Sequence, residues 1–307
     1  MASRFGARST AAEVLEGIDL GGRRAVVTGA SGGLGAETAR ALARAGAAVV
    51  LAARDLAKAG AVAEAIRRET GRNRARVLPL ALDSLASVRA FAKQLLEQER
   101  ELEILVANAA VMACPLQRST SGHDLQFATN HLGHFLLAQL LLPALRRGAP
   151  SRVVSVSSGA HWMSPVLFDD LRFERRDYHP WLAYGQSKTA NALFALEFDR
   201  RHEGQGVRAF SLHPGAIQTE LGRHVTPEIN VPVAPENMKT IPQGAATQVY
   251  VATAPGLERF GGRYFEDCGV AEPREERAQG TALGCAPHAR DPEAAARLWA
   301  LSEEAVA

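Results

Sequence analysis

Tyr184 and Lys188 stand four residues apart in 181-WLAYGQSKTANALFALEF-198, where Leu182, Leu193, Leu196 and other apolar residues recur at helical spacing. Residues four apart on a helix share a face. A phenol titrates near about 10 and is a poor base at neutral pH. An ammonium beside it favours the phenolate and lowers that value. The pair therefore has the makings of a general acid and base with its tuning charge; a solvated surface pair is the competing explanation. Upstream, 153-VVSVSSGAH-161 closes an apolar run with Ser157 and Ser158. Alternation along a strand turns one hydroxyl to the cleft and the other away. Asn130, in 127-FATNHLGHF-135, lies among apolar neighbours where an amide needs a reason to be.

These groups need elements to hold them, and the chain supplies a regular alternation. The short apolar run RRAVVTGA leads to a glycine-rich turn and a helical pattern, then to the strand AAVVLAA. A helix near 56–69, the strand RVLPLAL, a helix near 85–99, the strand EILVAN and a long helix near 121–146 follow. Then come RVVSVSS, the helix of Tyr184, the strand VRAFSLH, a helix near 243–253 and a last strand, GGRYF. Apolar strands alternating with helices imply βαβ units and a parallel sheet covered on both faces. The expected fold is α/β: a Rossmann-type doubly wound parallel sheet in three layers, forming a single domain. Its limits are read as 23–265, with an extension at 1–22 carrying a short helix near 11–17, and a tail at 266–307. Asp291 and Pro292 read as N-cap and first residue of a final helix.

The first strand runs into 28-TGASGGLG-35, with glycines at Gly29, Gly33 and Gly35. Bare backbone there lets the chain turn tightly and approach a pyrophosphate at a helix N-terminus. The spacing is Gly-x-x-x-Gly-x-Gly, and a tight turn alone is the competing explanation. A strand before and a helix after favour dinucleotide binding. The second strand tip reads 49-VVLAARD-55. Where NAD binders commonly place an acid, Ala53 is followed by Arg54, a cation suited to a 2′-phosphate. Asp55 reads as the next helix's N-cap. NADP(H) is the expected cofactor, with NAD(H) the alternative. Ser31 could add a hydroxyl to the phosphate. Asp83 could bond the adenine amino group or cap the following helix. Asn108 stands at the carboxyl edge of the fourth strand, where ligands bind in such sheets.

In order along residues 23–265, the glycine turn, Asn108-Ala109-Ala110, Asn130, Ser158, Tyr184-x-x-x-Lys188 and 213-HPGAIQT-219 resemble the short-chain dehydrogenase/reductase family. AARD, VSSGAH and GGRYFEDC with AARLWALSEE are similar to the branch of retinol dehydrogenases and their WW-domain oxidoreductase relatives, a branch that commonly prefers NADP(H). Ala110 departs from a glycine common in the family. The resemblance implies an oxidoreductase interconverting a carbonyl and an alcohol. Tyr184 would be its general acid or base, and Lys188 would tune it and hold the nicotinamide ribose. Ser158, rather than the local alternative Ser157, would bond the substrate oxygen. Asn130 would anchor a water in a proton relay ending at Lys188. Thr219 would bond the nicotinamide carboxamide, and Leu34, Ser84, Ala109, Pro214, Gly215 and Ile217 complete the expected cofactor contacts. A redox-sensing regulator with little turnover and a carbon–carbon double-bond reductase are the alternatives on the same fold.

The irregular segments 159–182 and 220–242 are placed to cover the cleft. Val225, Ile229, Val231 and Val233 lean the substrate towards the apolar. Trp162 and Met163 stand close enough in sequence to touch it or simply to pack. His131, His134 and His161 do not form a metal set. In 307 residues, 35 basic and 33 acidic side chains balance to a net charge of +2, which gives no support for a nucleic-acid partner. Hydrophobic residues at 47% can build a large core. Cys114, Cys268 and Cys285 fit neither a disulfide framework nor a zinc site. Neither a signal-peptide core nor a membrane span is evident. The expectation is a cytoplasmic protein with a small-molecule substrate. In the family, the helices at 121–146 and 181–203 pair subunits in many members, so a homodimer or homotetramer is the corresponding expectation, unless the tail covers that surface.

Overall fold

The computed structural model describes residues 3–71, 74–277 and 281–307. Residues 1–2 of the expected extension and 278–280 of the expected tail lie outside it. The strands are β1 (Arg24–Thr28), β2 (Ala48–Ala53), β3 (Ala75–Pro79), β4 (Ile104–Ala107), β5 (Ser151–Val156), β6 (Val207–His213), β7 (Ala216–Ile217), β8 (Met238–Lys239), β9 (Tyr264–Glu266) and β10 (Gly269–Val270). The helices are α1 (Ala11–Val14), α2 (Gly33–Arg44), α3 (Leu56–Thr70), α4 (Leu85–Gln98), α5 (Leu125–Phe127), α6 (Gly133–Arg147), α7 (Pro180–His202), α8 (Ile241–Thr253) and α9 (Pro292–Val306).

One sheet runs in the order β10-β9-β6-β5-β4-β1-β2-β3. Every neighbouring pair from β9 to β3 is parallel, and only β10 runs against its neighbour. The strand order reverses between β1 and β4, which opens a crevice at their carboxyl ends. Alternation sorts the strand residues into two cores. Val26, Val50, Leu105 and Val153 face α4, α6, α7 and α9 through Phe91, Phe135, Phe194 and Trp299. Val27, Leu51, Val106 and Phe210 face α2, α3 and α8 through Leu42, Ile66 and Val249. The three-layer doubly wound fold expected from the apolar runs is the one observed.

Three local expectations are corrected. Asp83 does not cap α4: Ser84 does, its Oγ accepting from Ser87 N at 3.3 Å. The long helix starts at Leu125, where Asp124 accepts from Gln126 N and Phe127 N, and it widens to a π turn over Ala128–Leu132. Such turns interrupt an α-helix where a side chain is redirected, and this one carries Asn130. The segment 220–242 is less irregular than expected, since Met238–Lys239 pairs with Ala216–Ile217. As expected, Asp55 caps α3 and Asp291 caps α9, with Pro292 in its first turn. The extension is laced to the domain: Arg8 Nη1 donates to Met238 O, Gln243 Nε2 to Arg8 O, and α1 packs on α8. At the other end α9 lies on α7 and α6. Trp299 meets Phe135 edge-on at 4.9 Å and stacks on Phe194 at 6.3 Å. The α6 and α7 surface named for subunit pairing is thus partly covered by the chain itself. No helix among the described residues is long and apolar enough to cross a membrane.

Candidate active site

Helix α7 crosses the carboxyl end of β5 and is stitched to it. Ser155 Oγ donates to Asn191 O at 3.0 Å and Ser157 Oγ to Lys188 O at 2.7 Å. Lys188 Nζ and Asn191 Nδ2 both donate to Val156 O, at 2.9 and 3.1 Å. Ser157 is therefore spent on the α7 backbone. Ser158 lies past the strand end; its Oγ accepts from Ala160 N at 3.1 Å, and the hydroxyl acts on the Tyr184 phenol. Gly185 allows the close approach, since a Cβ there would stand 2.8 Å from Ala160 O. Lys188 Nζ lies 5.5 Å from the Tyr184 ring centroid.

The electrostatics differ from the sequence expectation. Tyr184 is 3% exposed. Burial pushes its phenol above the ordinary range, and the Ser158 hydroxyl pulls the other way. Burial also pulls Lys188 down, to about 7. Desolvation disfavours whichever form is charged, and on the phenol it outweighs the Ser158 hydrogen bond. The lowered phenol expected from the spacing is not seen in this structure.

Asn130 sits where the π turn aims it inward. Its Oδ1 accepts from Val111 N, and its Nδ2 donates to Val111 O and to Ser187 Oγ, each at 2.9 Å. Ser187 Oγ in turn donates to Tyr184 O at 2.8 Å. The Asn130 carbonyl, the expected water ligand, accepts from His134 Nδ1 at 3.0 Å, and Thr28 Oγ1 donates to His134 Nε2 at 2.8 Å. Thr28 Oγ1 accepts from Asn108 N and Ala109 N, while Asn108 Nδ2 donates to Thr28 O. Asn108 thus ties β1 to β4, and Gln248 of α8 donates to its Oδ1. His131 bonds Ser302 of α9 at 2.8 Å.

At the nucleotide end, Gly29 and Gly33 have φ of +67° and +53°. A Cβ on Gly35 would lie 2.4 Å from Gly29 O, and one on Gly29 would lie 2.9 Å from Ala109 Cα. Helix α2 begins at Gly33 with no side chain capping its first N–H groups, which leaves an anion cradle. Leu34 and Ile217 close on Gly244 of α8, Pro214 is buried, and the Lys239 side chain crosses bare Gly215. Thr219 faces Gly33, 3.5 Å from where its Cβ would stand, and its Oγ1 accepts from Leu221 N. Arg54 is exposed and has no hydrogen-bond or ion-pair partner among the described residues. Asp83 and Ser31 are half-buried beside the crevice. The glycine turn, the α2 N-terminus and free Arg54 fit a phosphorylated dinucleotide.

Trp181, missed in the sequence, meets the Tyr184 ring at 5.9 Å and donates from Nε1 to Ile229 O at 2.5 Å. Its position one turn before Tyr184 was the available signal. The segment 220–242 is thereby held over the α7 N-terminus. Val225 and Ile229 are half-buried there, whereas Val231 and Val233 face solvent, 37% and 43% exposed, and line nothing. Trp162 packs with Tyr264 and Ala286 rather than standing free.

The family profile described as short chain dehydrogenase matches residues 23–230. A probable oxidoreductase of Streptomyces antibioticus is 44% identical over 303 residues, 94% of this chain and 99% of that one. Human retinol dehydrogenase 11 is 42% identical over 286 residues, covering 93% of this chain and 86% of the relative. Among solved structures, an uncharacterised protein from Mycobacterium paratuberculosis matches with a TM-score of 0.74 at 37% identity, over 97% of both chains. A short chain dehydrogenase from Shigella flexneri complexed with NADP matches with a TM-score of 0.63 at 25% identity, over 80% of this chain and 97% of that one. With this site and these relatives, the chain belongs to the short-chain dehydrogenase family, close to its retinol dehydrogenase branch, and is an oxidoreductase of CH–OH and C=O groups that works with NAD(P).

Proposed function

We propose that the protein interconverts a carbonyl and an alcohol on an apolar small molecule with NADP(H), using Tyr184 as proton donor and acceptor. The observation that carries this is the meeting of Tyr184, Ser158 and Lys188 in one buried patch beyond β5, under a covering segment. The dinucleotide supplies or accepts the hydride. Gly29, Gly33, Gly35 and the α2 N-terminus would hold its pyrophosphate, Arg54 its 2′-phosphate, Asp83 its adenine and Thr219 its carboxamide. Lys188 would bond the ribose, and Asn130, through Ser187, would fix the turn that carries Tyr184. Burial keeps the Tyr184 phenol protonated, the form that gives its proton to a developing alkoxide. Ser158 Oγ accepts from Ala160 N, and its hydroxyl acts on the Tyr184 phenol, which sets the two groups beside the same substrate oxygen. The resting ionisation suits reduction; oxidation requires Tyr184 to lose its proton first. The neighbour complexed with NADP supports the phosphorylated cofactor, and the retinol dehydrogenase relatives support an apolar substrate. Three unpaired, buried cysteines support a reducing, cytoplasmic setting.

The test follows nicotinamide absorbance over a panel of apolar aldehydes, ketones and secondary alcohols, with NADPH/NADP and NADH/NAD, and identifies the products. Alcohol formed from ketone or aldehyde is expected, with the phosphorylated cofactor preferred. Tyr184→Phe should bind NADPH normally and lose about 10²–10⁴-fold in turnover. Wild-type turnover in that variant would refute the acid–base role.

A further inference from the structure

We infer that the segment 282–289, far along the chain, belongs to the active-site scaffold, and that His161 is the positioning residue through which it orients Ser158. The inference rests on the role proposed above for Ser158. His161 is fully buried and its partners fix one tautomer. Its Nδ1 lies 2.7 Å from Ser158 O, and a carbonyl only accepts, so Nδ1 carries the hydrogen. Its Nε2 lies 3.2 Å from Ala286 N, and a backbone N–H only donates, so Nε2 is the acceptor. Burial pulls the imidazole down to about 4, so it stays neutral. A histidine that merely filled space would need neither bond, and this one uses both nitrogens to join the serine to the tail.

The rest of the neighbourhood repeats the arrangement. Ser158 O also accepts from His161 N and from Tyr264 OH, each at 3.0 Å. His288 Nε2 donates to His161 O at 2.8 Å, and Thr189 of α7 donates to the same carbonyl at 3.2 Å. Gly159 is pressed against the tail, since a Cβ there would stand 2.4 Å from Ala282 Cβ. The tail is itself anchored to the sheet edge. Gly284 N donates to the Glu266 carboxylate at the end of β9, Cys285 N to Glu272 O, and Arg274 N to Cys285 O. Hydrogen bonds thus tie β9 to Gly284, and, two residues on along the backbone, Ala286 to His161 and His161 to Ser158. They fix the serine at its carbonyl, while Ala160 N donates to its Oγ and its hydroxyl acts on the Tyr184 phenol.

Two near-isosteric variants separate the halves of this bridge. His161→Asn keeps an amide donor where Nδ1 stands and loses the reach to Ala286. His161→Gln keeps an acceptor for Ala286 and loses the bond to Ser158. Positioning through the bridge predicts that Asn, which cuts the tail side, lowers kcat by roughly 3–10-fold and Gln, which releases Ser158, by roughly 10–100-fold, with KM for cofactor unchanged in both. In a Ser158→Ala background, His161→Gln should add no further loss, because its effect passes through the serine. An unchanged kcat in His161→Asn, or an undiminished His161→Gln effect without Ser158, would overturn the inference alone. Wild-type turnover in Ser158→Ala would overturn the proposed role of Ser158 and this inference with it. His288→Ala acts from the half-buried tail side. It should fold normally and lower kcat by roughly 3–10-fold, and an unchanged kcat would remove the tail from the scaffold.

Discussion

Acid should strip most of the protein's stability between about pH 6.5 and 5. His123, His131, His134, His161 and His213 are buried, and burial pulls them to about 4, 3, 4, 4 and 3 from 6.5. Their folded values lie below the unfolded value. Between the two, the unfolded chain binds protons that the folded chain refuses, so stability falls as pH falls. Each pH unit crossed in that window costs about 1.4 kcal/mol per group. At pH 5 each histidine has withdrawn roughly 2 kcal/mol, and the five together roughly 10. Two buried carboxyls oppose this, since burial pushes Asp124 up to about 6 and Glu266 to about 7. Their folded values lie above the unfolded ones, so their contribution grows as pH drops and returns roughly 3 kcal/mol by pH 5. A net loss of about 7 kcal/mol compares with the ~5–15 of a whole domain. Urea unfolding followed by far-UV circular dichroism at about pH 7.5, 6.5 and 5 measures it directly. His131→Leu should flatten the slope in this window by about 1.4 kcal/mol per unit. A stability constant to within about 1 kcal/mol from pH 6.5 to 5 would refute the claim that these imidazoles are held neutral by burial.

Arg54→Ala should weaken NADPH binding by about 10–150-fold and leave NADH nearly unchanged, because one charge-assisted bond is worth about 1.5–3 kcal/mol; calorimetric titration of both cofactors checks it. Lys188→Met should lose turnover by at least about 100-fold yet raise the urea midpoint at neutral pH. The folded ammonium is depressed to about 7 from 10.5, so its cost is present throughout the range below 10.5 and complete below about 7. Asn191 still satisfies Val156 O in that variant. Trp299→Ala should destabilise the fold by about 3–5 kcal/mol in urea unfolding, as for other buried aromatics.

The sheet was legible because each strand is a short apolar run bounded by turn residues, and because both faces are covered. The glycine turn and the Tyr184–Lys188 pair were legible because local spacing carries them, whereas Ser158 was preferred to Ser157 only through the family resemblance. What escaped depended on burial or on distance in the chain. Spacing sets Lys188 beside Tyr184 but does not reveal that both are desolvated, and that reversed the expected shift of the phenol. Asp83 was read as a possible cap of α4, and the cap falls one residue later, on Ser84. The π turn at Asn130 has no period of its own in the sequence. His161 looked like packing because its partner, Ala286, is 125 residues away. Val231 and Val233 were read as pocket lining from hydrophobicity alone, and in an irregular segment hydrophobicity does not say which way a side chain points.

The order of synthesis gives the C-terminal segment a further meaning. On the ribosome, the glycine turn, Ser158, Tyr184 and Lys188 emerge before the residues that finish their surroundings. Until Trp299 appears, Phe135, Phe194 and Phe198 form a bare aromatic strip on a nascent protein. Until Ala286 and His288 appear, His161 has nothing to hold it on its outer side. Premature termination between about residue 270 and 285 would therefore release a chain with its reactive side chains made, His161 without its tail partners and an adhesive face exposed to chaperones and to other copies. Maturation and quality control converge on the same stretch of polypeptide.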